Sequence, residues 1–152
     1  MIVRDARAGE LRLLADTVAG QPLLERYEMS ADKLERELTA ALSRGDQVLV
    51  AEEGGRAVGF AWFLATGTFG GGGYLRLIAL EPGCEGKGLG AALCDEMERR
   101  VSLGSRNLFL LVSHWNAGAR RFYAQRGYQE VGTLPAFVRP DTDEVICWKR
   151  LR

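Results

Sequence analysis

The feature that most restricts what this chain can fold into is a glycine-rich turn between a strand and a helix. Residues 74–80 have the apolar pattern of a buried strand, and residues 88–100 have the spacing of an amphipathic helix. The turn between them reads Glu81-Pro82-Gly83-Cys84-Glu85-Gly86-Lys87-Gly88-Leu89-Gly90-Ala91. Glycines let backbone N–H groups converge there, and the helix N-terminus adds partial positive charge, so the turn favours a phosphate or pyrophosphate. The alternative is a glycine-rich turn that starts a helix and binds nothing.

The glycine spacing disfavours two common nucleotide-binding loops. A Walker loop requires Ser or Thr after Gly-Lys to hold magnesium, but Gly88 follows Lys87. A Rossmann loop requires Gly-x-Gly-x-x-Gly and an acidic residue at the end of the next strand. Here the glycines alternate, and the next predicted strand ends in Val112-Ser113-His114.

Hydrophobic periodicity predicts seven strands and four helices in one domain, residues 1–152. The predicted strands are residues 1–5, 47–52, 57–64, 74–80, 107–112, 128–131 and 144–149. The predicted helices are residues 10–19, 30–44, 88–100 and 117–126. This order predicts a mixed α/β (α+β) fold with a single sheet and helices on its faces.

Composition excludes several classes of function. Lys plus Arg and Asp plus Glu are both 20, so a net charge of zero argues against a nucleic-acid partner held by bulk charge. No apolar run approaches the roughly 18 residues needed to cross a bilayer, and residues 1–10 lack the apolar core of a signal peptide. The single histidine excludes a multi-histidine metal site, and three cysteines without metal-ligand spacing favour reduced thiols. We therefore expect a cytoplasmic protein with no metal, no nucleic-acid partner and no membrane partner.

A second motif lies downstream, and together with the glycine turn it resembles a known family. It reads Asn116-Ala117-Gly118-Ala119-Arg120-Arg121-Phe122-Tyr123-Ala124-Gln125-Arg126-Gly127-Tyr128. The pair resembles the GNAT superfamily of acetyl-CoA-dependent N-acetyltransferases. That family's first motif is Gln/Arg-x-x-Gly-x-Gly/Ala, matched from Glu85 to Gly90 except that Glu85 replaces Gln or Arg. Its second motif, Asn-x-x-Ala-x-x-Phe-Tyr-x-x-x-Gly-Phe/Tyr, is matched without a gap.

The resemblance implies a mostly antiparallel central sheet, splayed between the fourth and fifth strands to admit acetyl-CoA. The cofactor-binding residues it implies are Ile78, Ala79 and Leu80 for the pantetheine arm, Glu85, Gly86, Lys87, Gly88, Leu89, Gly90 and Ala91 at the pyrophosphate, and Asn116, Ala119 and Tyr123 on the second motif. Because a carboxylate beside a pyrophosphate is mildly unfavourable, Glu85 is expected to weaken cofactor binding unless only its backbone contacts the phosphates.

The resemblance also implies catalytic roles. The backbone N–H of Leu80, or of Ile78, would stabilise negative charge on the thioester oxygen, and Tyr123 would protonate the departing thiolate. The alternative for Tyr123 is a tyrosine that only packs on the sheet. His114 and Glu81 are rival candidates for the general base. The alternative for His114 is an exposed residue at a strand end with no catalytic role. A chain of water molecules could also act as the base in place of both side chains.

The acceptor is expected to be a small-molecule or peptide amine, bound among segments 20–29, 66–73 and 134–140. The aromatic residues we expect around it are Tyr27, Trp62, Phe69 and Phe137, since aromatic faces attract cations, although such residues more often pack in a core. A different class of function, a non-catalytic acyl-CoA-binding sensor, is favoured by Glu85 and disfavoured by Asn116 and Tyr123. The protein is expected to be a monomer or a homodimer.

Overall fold

The computed structural model describes residues 1–152, which form seven strands and five α-helices. The strands are β1 (Ile2–Asp5), β2 (Gln47–Glu53), β3 (Arg56–Thr68), β4 (Gly72–Leu80), β5 (Asn107–Ser113), β6 (Gln129–Arg139) and β7 (Thr142–Arg150). The helices are α1 (Leu11–Val18), α2 (Pro22–Arg26), α3 (Ala31–Ser43), α4 (Leu89–Ser102) and α5 (Ala117–Gln125), and a short 3-10 helix, Ala8–Glu10, precedes α1.

All seven strands belong to one sheet with the order β1-β2-β3-β4-β5-β7-β6. Every neighbouring pair is antiparallel except β4 and β5, which run parallel. These two strands pair only where Gly73 to Leu75 lie beside Leu108 to Leu110, and beyond Leu75 they share no ladder. The predicted mixed fold and the predicted splay between the fourth and fifth strands are therefore confirmed.

The helices cover both faces of the sheet and bury two apolar clusters. On one face α4 packs on the sheet through Leu93 and Met97, and Tyr123 of α5 joins the same cluster. On the other face α1 and α3 bury residues such as Leu14 and Leu38 against the sheet. No helix has the length and apolar character needed to cross a bilayer.

Three segments differ from the sequence-based prediction. The strand expected to end at Leu64 continues as β3 to Thr68, which pairs with Gly72 in a longer hairpin. The residues after α1 were expected to be an irregular loop, but they contain α2, because Pro22 occupies the first turn of a helix where its missing N–H is not needed. The strand expected to end at Val131 continues to Arg139. It lies at the edge of the sheet, where Pro135 and a shift of register between Leu134 and Arg139 are tolerated.

Candidate functional site

The divergence of β4 and β5 opens a cleft of about 870 Å³. Its walls come from the separated parts of β4 and β5, the glycine turn before α4, helix α5, and the segment that contains α2. Every one of these parts except α2 belongs to the two motifs or to the strands beside them. The splay therefore brings both sequence motifs to one cavity.

The backbone of β4 is free along the side that faces this cleft. The N–H of Glu81 donates to the carbonyl of Val58 on β3 at 2.7 Å. Since successive N–H groups of a strand point to opposite sides, the N–H groups of Leu80 and Ile78 point away from β3 and toward the cleft. The Leu80 carbonyl already has a partner there, the Gln21 side-chain amide, whose Nε2 donates to it at 2.7 Å.

A bulge in β4 marks the start of this free edge. Trp62 pairs with Leu77 while its neighbour Phe63 pairs with Leu75, which leaves Arg76 as an extra residue on β4. A bulge bends the strand that carries it and increases its local twist. The bulge lies directly after Leu75, the last β4 residue paired with β5, so it accounts for where the strands part.

The glycine turn has six unused backbone donors, and four of the residues that carry them, Gly86, Gly88, Gly90 and Ala91, line the cleft. None of the N–H groups from Gly86 to Ala91 donates a hydrogen bond within the protein, and the first to do so is Ala92, to the Gly88 carbonyl at 3.0 Å. Gly88 has a φ of +83°, which a side chain would strain. A Cβ added at Gly90 would lie 3.7 Å from Phe122, so the turn has room for a ligand over the helix N-terminus.

The Glu85 side chain folds back onto the turn that carries it. One carboxylate oxygen accepts from Gln21 Nε2 at 2.7 Å, and the other accepts from the N–H of Gly83 at 2.9 Å. These hydrogen bonds, first that of Gln21, lower the pKa of Glu85, so it is a carboxylate at neutral pH. Because Glu85 stands where the family motif has Gln or Arg, the loop carries a fixed negative charge at its rim.

Tyr123 lies on the floor of the cleft and is 6% exposed. Burial raises the pKa of its phenol well above the usual value, and no hydrogen bond from the protein contributes to that rise. Its ring packs edge-on against Phe122 and Tyr128, with centroids 5.2 and 5.5 Å away. The ring is therefore held by packing while the hydroxyl is left without a protein partner and protonated, as a proton donor must be.

Asn116 and Ala119 occupy the wall opposite β4. Asn116 is the N-cap of α5, and its Oδ1 accepts from the N–H of Ala119 at 3.1 Å. This capping leaves the two N–H donors of the Asn116 amide without a protein partner. Both residues line the cleft, so Asn116 caps α5 and still has two amide donors available to a ligand.

Four of the predicted cofactor-binding and catalytic residues do not present their side chains to the cleft. The Lys87 ammonium lies 3.5 Å from a carboxylate oxygen of Glu53, and the Leu89 side chain is fully buried in the core, so only its backbone can face a ligand. Glu81 forms a two-pronged ion pair with Arg56, at 2.9 and 2.6 Å. The exposed His114 ring accepts from the N–H of Asp143 at 3.1 Å.

Two of the four expected acceptor-side aromatic residues line the cleft, and two lie elsewhere. Tyr27 and Phe137 are in the lining. Trp62 is 2% exposed, packs in the core beneath α1 and α3, and donates from Nε1 to Asp46 at 3.0 Å. Phe69 is 76% exposed at the tip of the β3–β4 hairpin, where it packs on Phe109. Trp62 lies on the same face of the sheet as its partner Leu77, which does line the cleft, but β3 is one strand further away and Trp62 is covered there.

The structure also brings together three residues of which only one was expected. The Tyr27 hydroxyl donates to the Glu144 carboxylate and is hydrogen-bonded to Ser113. Burial, followed by the hydrogen bond to Glu144, raises the pKa of Tyr27 to about 12. Ser113 and Glu144 face each other across β5 and β7. Because Tyr27 and Glu144 are 117 positions apart in the sequence, no local sequence pattern predicts this cluster.

The geometry agrees with a comparison of the sequence with known families. The profile of the Acetyltransferase (GNAT) family matches residues 14–128. The chain belongs to the GNAT family of acetyltransferases. The resemblance drawn from the two motifs is therefore confirmed.

One relative of this GNAT chain is similar in sequence, and two solved structures are similar in fold. An uncharacterized N-acetyltransferase of Methanocaldococcus jannaschii is 32% identical over 103 residues, which are 66% of this chain and 64% of that protein, so the chain covers less than two thirds of that relative. A Desulfovibrio desulfuricans protein assigned to the GNAT family superposes with a TM-score of 0.79 and 26% identity over 99% of both chains. An aminoglycoside 6'-N-acetyltransferase in complex with coenzyme A gives a TM-score of 0.82 at 18% identity, over 100% of this chain and 98% of that one.

Proposed function

We propose that this protein transfers the acetyl group of acetyl-CoA to a primary amine by direct attack in a ternary complex. The observation that supports this most strongly is the pairing of six free backbone amides at one end of the cleft with the unpartnered Tyr123 hydroxyl on its floor. The first feature suits a pyrophosphate, and the second suits a leaving group that needs a proton.

The residues that would hold acetyl-CoA fit its chemistry. The N–H groups from Gly86 to Ala91 and the N-terminus of α4 would bind the pyrophosphate, and Lys87 would add only distant positive charge. The free backbone of Ile78 to Leu80 would pair with the amides of the pantetheine arm, and Asn116 would donate to that arm from its side-chain amide. No cluster of three or more His, Cys, Asp or Glu side chains is placed to hold a metal ion.

The chain's own groups would assist two stages of acyl transfer, while the attacking amine would lose its protons to solvent water. Acetyl-CoA supplies an acetyl group already activated as a thioester. The Leu80 N–H would donate to the thioester oxygen as negative charge develops on it, a role typical of preorganised backbone donors. Tyr123 would give its proton to the departing thiolate sulfur. His114 and Glu81, tied to other partners outside the cleft, are not part of this assignment.

We further propose that residues 1–152 act as one acetyltransferase domain, in the cytoplasm, as a monomer or a homodimer. The three cysteines are all free and buried, which favours a reducing compartment. Both apolar clusters pack against the same sheet, which favours a single domain.

The proposal is tested by the release of free thiol from acetyl-CoA with and without a panel of primary amines. We expect release that depends on both protein and amine, with the acetylated amine detected by mass spectrometry. Binding of acetyl-CoA without thiol release for any amine would instead favour the acyl-CoA-binding sensor, the reading that Glu85 supports.

A further inference from the structure

The acceptor half of the cleft contains a buried carboxylate that no cation in the protein neutralises. Glu144 is 5% exposed and lines the cleft. The Tyr27 hydroxyl donates to its Oε2, the Ser113 hydroxyl lies closer to Tyr27 and 3.5 Å from that same oxygen, and Glu144 forms no ion pair. Hydroxyls satisfy hydrogen bonding but supply no charge, and a buried carboxylate is costly unless it is paired.

The other carboxylate oxygen is free to take a ligand. Glu144 Oε1 accepts no hydrogen bond from the protein, yet it is not among the fully enclosed polar atoms that lack a partner, so it is reached from the cleft. Tyr27 stands on the segment after α2, while Ser113 and Glu144 stand on paired strands. The carboxylate is therefore positioned by β7, β5 and the segment after α2, and its Oε1 is available to a ligand in the cleft.

The remaining charges at this end of the cleft limit the number of cations it can take. Lys33 and Arg76 line it and are positive. Glu37, the other carboxylate there, lies 3.9 Å from the Arg76 guanidinium. With Glu37 and Arg76 paired, Glu144 and Lys33 remain as one negative and one positive group, which suits a ligand with a single ammonium and disfavours a polycation.

The surroundings of the carboxylate are mainly apolar. The apolar side chains that line the same cleft include Leu23, Met29, Leu77, Leu111, Phe137 and Val138. Such walls gain free energy from covering an apolar body and offer little to a heavily hydroxylated one.

We propose that Glu144, positioned by Tyr27 and Ser113, binds the ammonium of the acceptor, and that the acceptor is a primary amine carrying one positive charge and an apolar body. This inference rests on the proposed acetyl transfer, because it names the acceptor of that same site. Ammonium recognition needs no proton transfer by Glu144, so it stands separately from the question of the general base.

Phenethylamine, spermidine and the uncharged analogue 2-phenylethanol are suitable probes, titrated calorimetrically into the full chain. Wild type should bind phenethylamine at least about tenfold more tightly than either other compound, since a hydrogen bond to a charged group is worth that much. Glu144→Gln should weaken phenethylamine binding by a similar factor. Asp143→Asn, the same charge change one residue away and outside the cleft, should leave it unchanged.

The compound comparison needs no variant, so it remains decisive if Glu144→Gln does not fold. Equal binding of phenethylamine and 2-phenylethanol, tighter binding of spermidine, or unchanged binding by folded Glu144→Gln would each overturn the inference. Thiol release from acetyl-CoA then separates the two proposals. Equal release by wild type and Glu144→Gln with phenethylamine refutes the role of Glu144 but not acetyl transfer, whereas Glu144-dependent binding without release refutes acetyl transfer alone.

Discussion

At the scale of single residues, Glu85 creates a conflict between the loop's donors and its own charge. Its carboxylate is fixed by Gln21 and by the N–H of Gly83, at the edge of the amides proposed to bind pyrophosphate. Two negative groups a few ångströms apart repel even when water screens them. The same hydrogen bonds order the turn, so Glu85 contributes to loop structure while opposing the ligand.

Replacement of Glu85 by Gln should therefore strengthen CoA binding. The neutral side chain keeps the shape and an acceptor oxygen for Gly83 but removes the repulsion, so we expect Kd to fall by about threefold at low salt, with a smaller gain at high salt. Calorimetric titration of CoA at two salt concentrations measures this effect. Glu130→Gln removes a charge outside the cleft and should leave Kd unchanged; a weaker Glu85→Gln complex would mean that the carboxylate assists binding.

Asn116 allows its capping and binding roles to be separated. Asn116→Ala should lower the free energy of unfolding by about 1 kcal/mol, because the N-cap acceptor for Ala119 is lost. Asn116→Ser restores an N-cap oxygen but not the amide donors, so it should recover most of the stability without recovering CoA affinity. Urea denaturation and CoA titration of both variants provide the comparison, and full recovery of affinity by Ser would leave capping as the only role of Asn116.

At the scale of elements, we expect the proposed cofactor site to be most sensitive to substitution at the start of α4. Gly90→Glu should abolish CoA binding, since a side chain and a negative charge would fill the space over the free amides. Gly90→Ala is the matched control, because its Cβ has ordinary contact distances and adds no charge. Both variants should fold, as circular dichroism would show, and near wild-type CoA binding by Gly90→Glu would place the pyrophosphate elsewhere.

Elements with strong periodicity were predictable, whereas those shaped by their position in the sheet were not. The apolar run from Asn107 predicted β5 to within one residue of its observed end. The length of β6 was missed because this edge strand is exposed along most of its length, so it has no alternating apolar pattern beyond Val131. Helix α2 was missed because a proline such as Pro22 can end one helix or occupy the first turn of the next, and the sequence alone does not distinguish the two.

The candidate site also contains residues that the sequence could predict and residues that it could not. The glycine turn and the α5 motif are contiguous in sequence, so their residues could be named and were then found around one cleft. Trp62 was misplaced because sequence periodicity does not tell which strand lies beside the cleft, and β4 separates β3 from it. Glu144 was missed because its partners, Tyr27 and Ser113, lie on elements whose pairing sequence periodicity does not give.

At the scale of the whole molecule, buried acidic protons should make the fold sensitive to alkali. Burial raises the pKa of Cys147 to about 11 and that of Cys94 to about 12, and it also raises the pKa of Tyr128. An unfolded thiol ionises near pH 8.5. The folded state therefore keeps protons that the unfolded state releases, so this stability is complete below about pH 8.5 and is lost as the pH rises toward the folded values.

We expect the free energy of unfolding to fall by about 1.4 kcal/mol per pH unit for each such group between about pH 9.5 and 11. Urea denaturation across that range measures the slope. A variant with Cys94→Ala and Cys147→Ala should be less stable at neutral pH but should show a shallower decline. An unchanged slope in that variant would assign the alkaline transition to other groups.

The central claim is that the cleft performs acetyl transfer and does not merely hold acyl-CoA, and Tyr123→Phe tests it most directly. The substitution keeps the ring that packs on Phe122 and Tyr128 and removes only the hydroxyl. A group that acts on the leaving thiolate contributes in the transition state and not in the ground state. Amine-dependent thiol release should therefore fall by roughly 10²-fold while the Kd for acetyl-CoA stays near the wild-type value; equal rates for the two proteins from pH 6 to 9 would contradict the account.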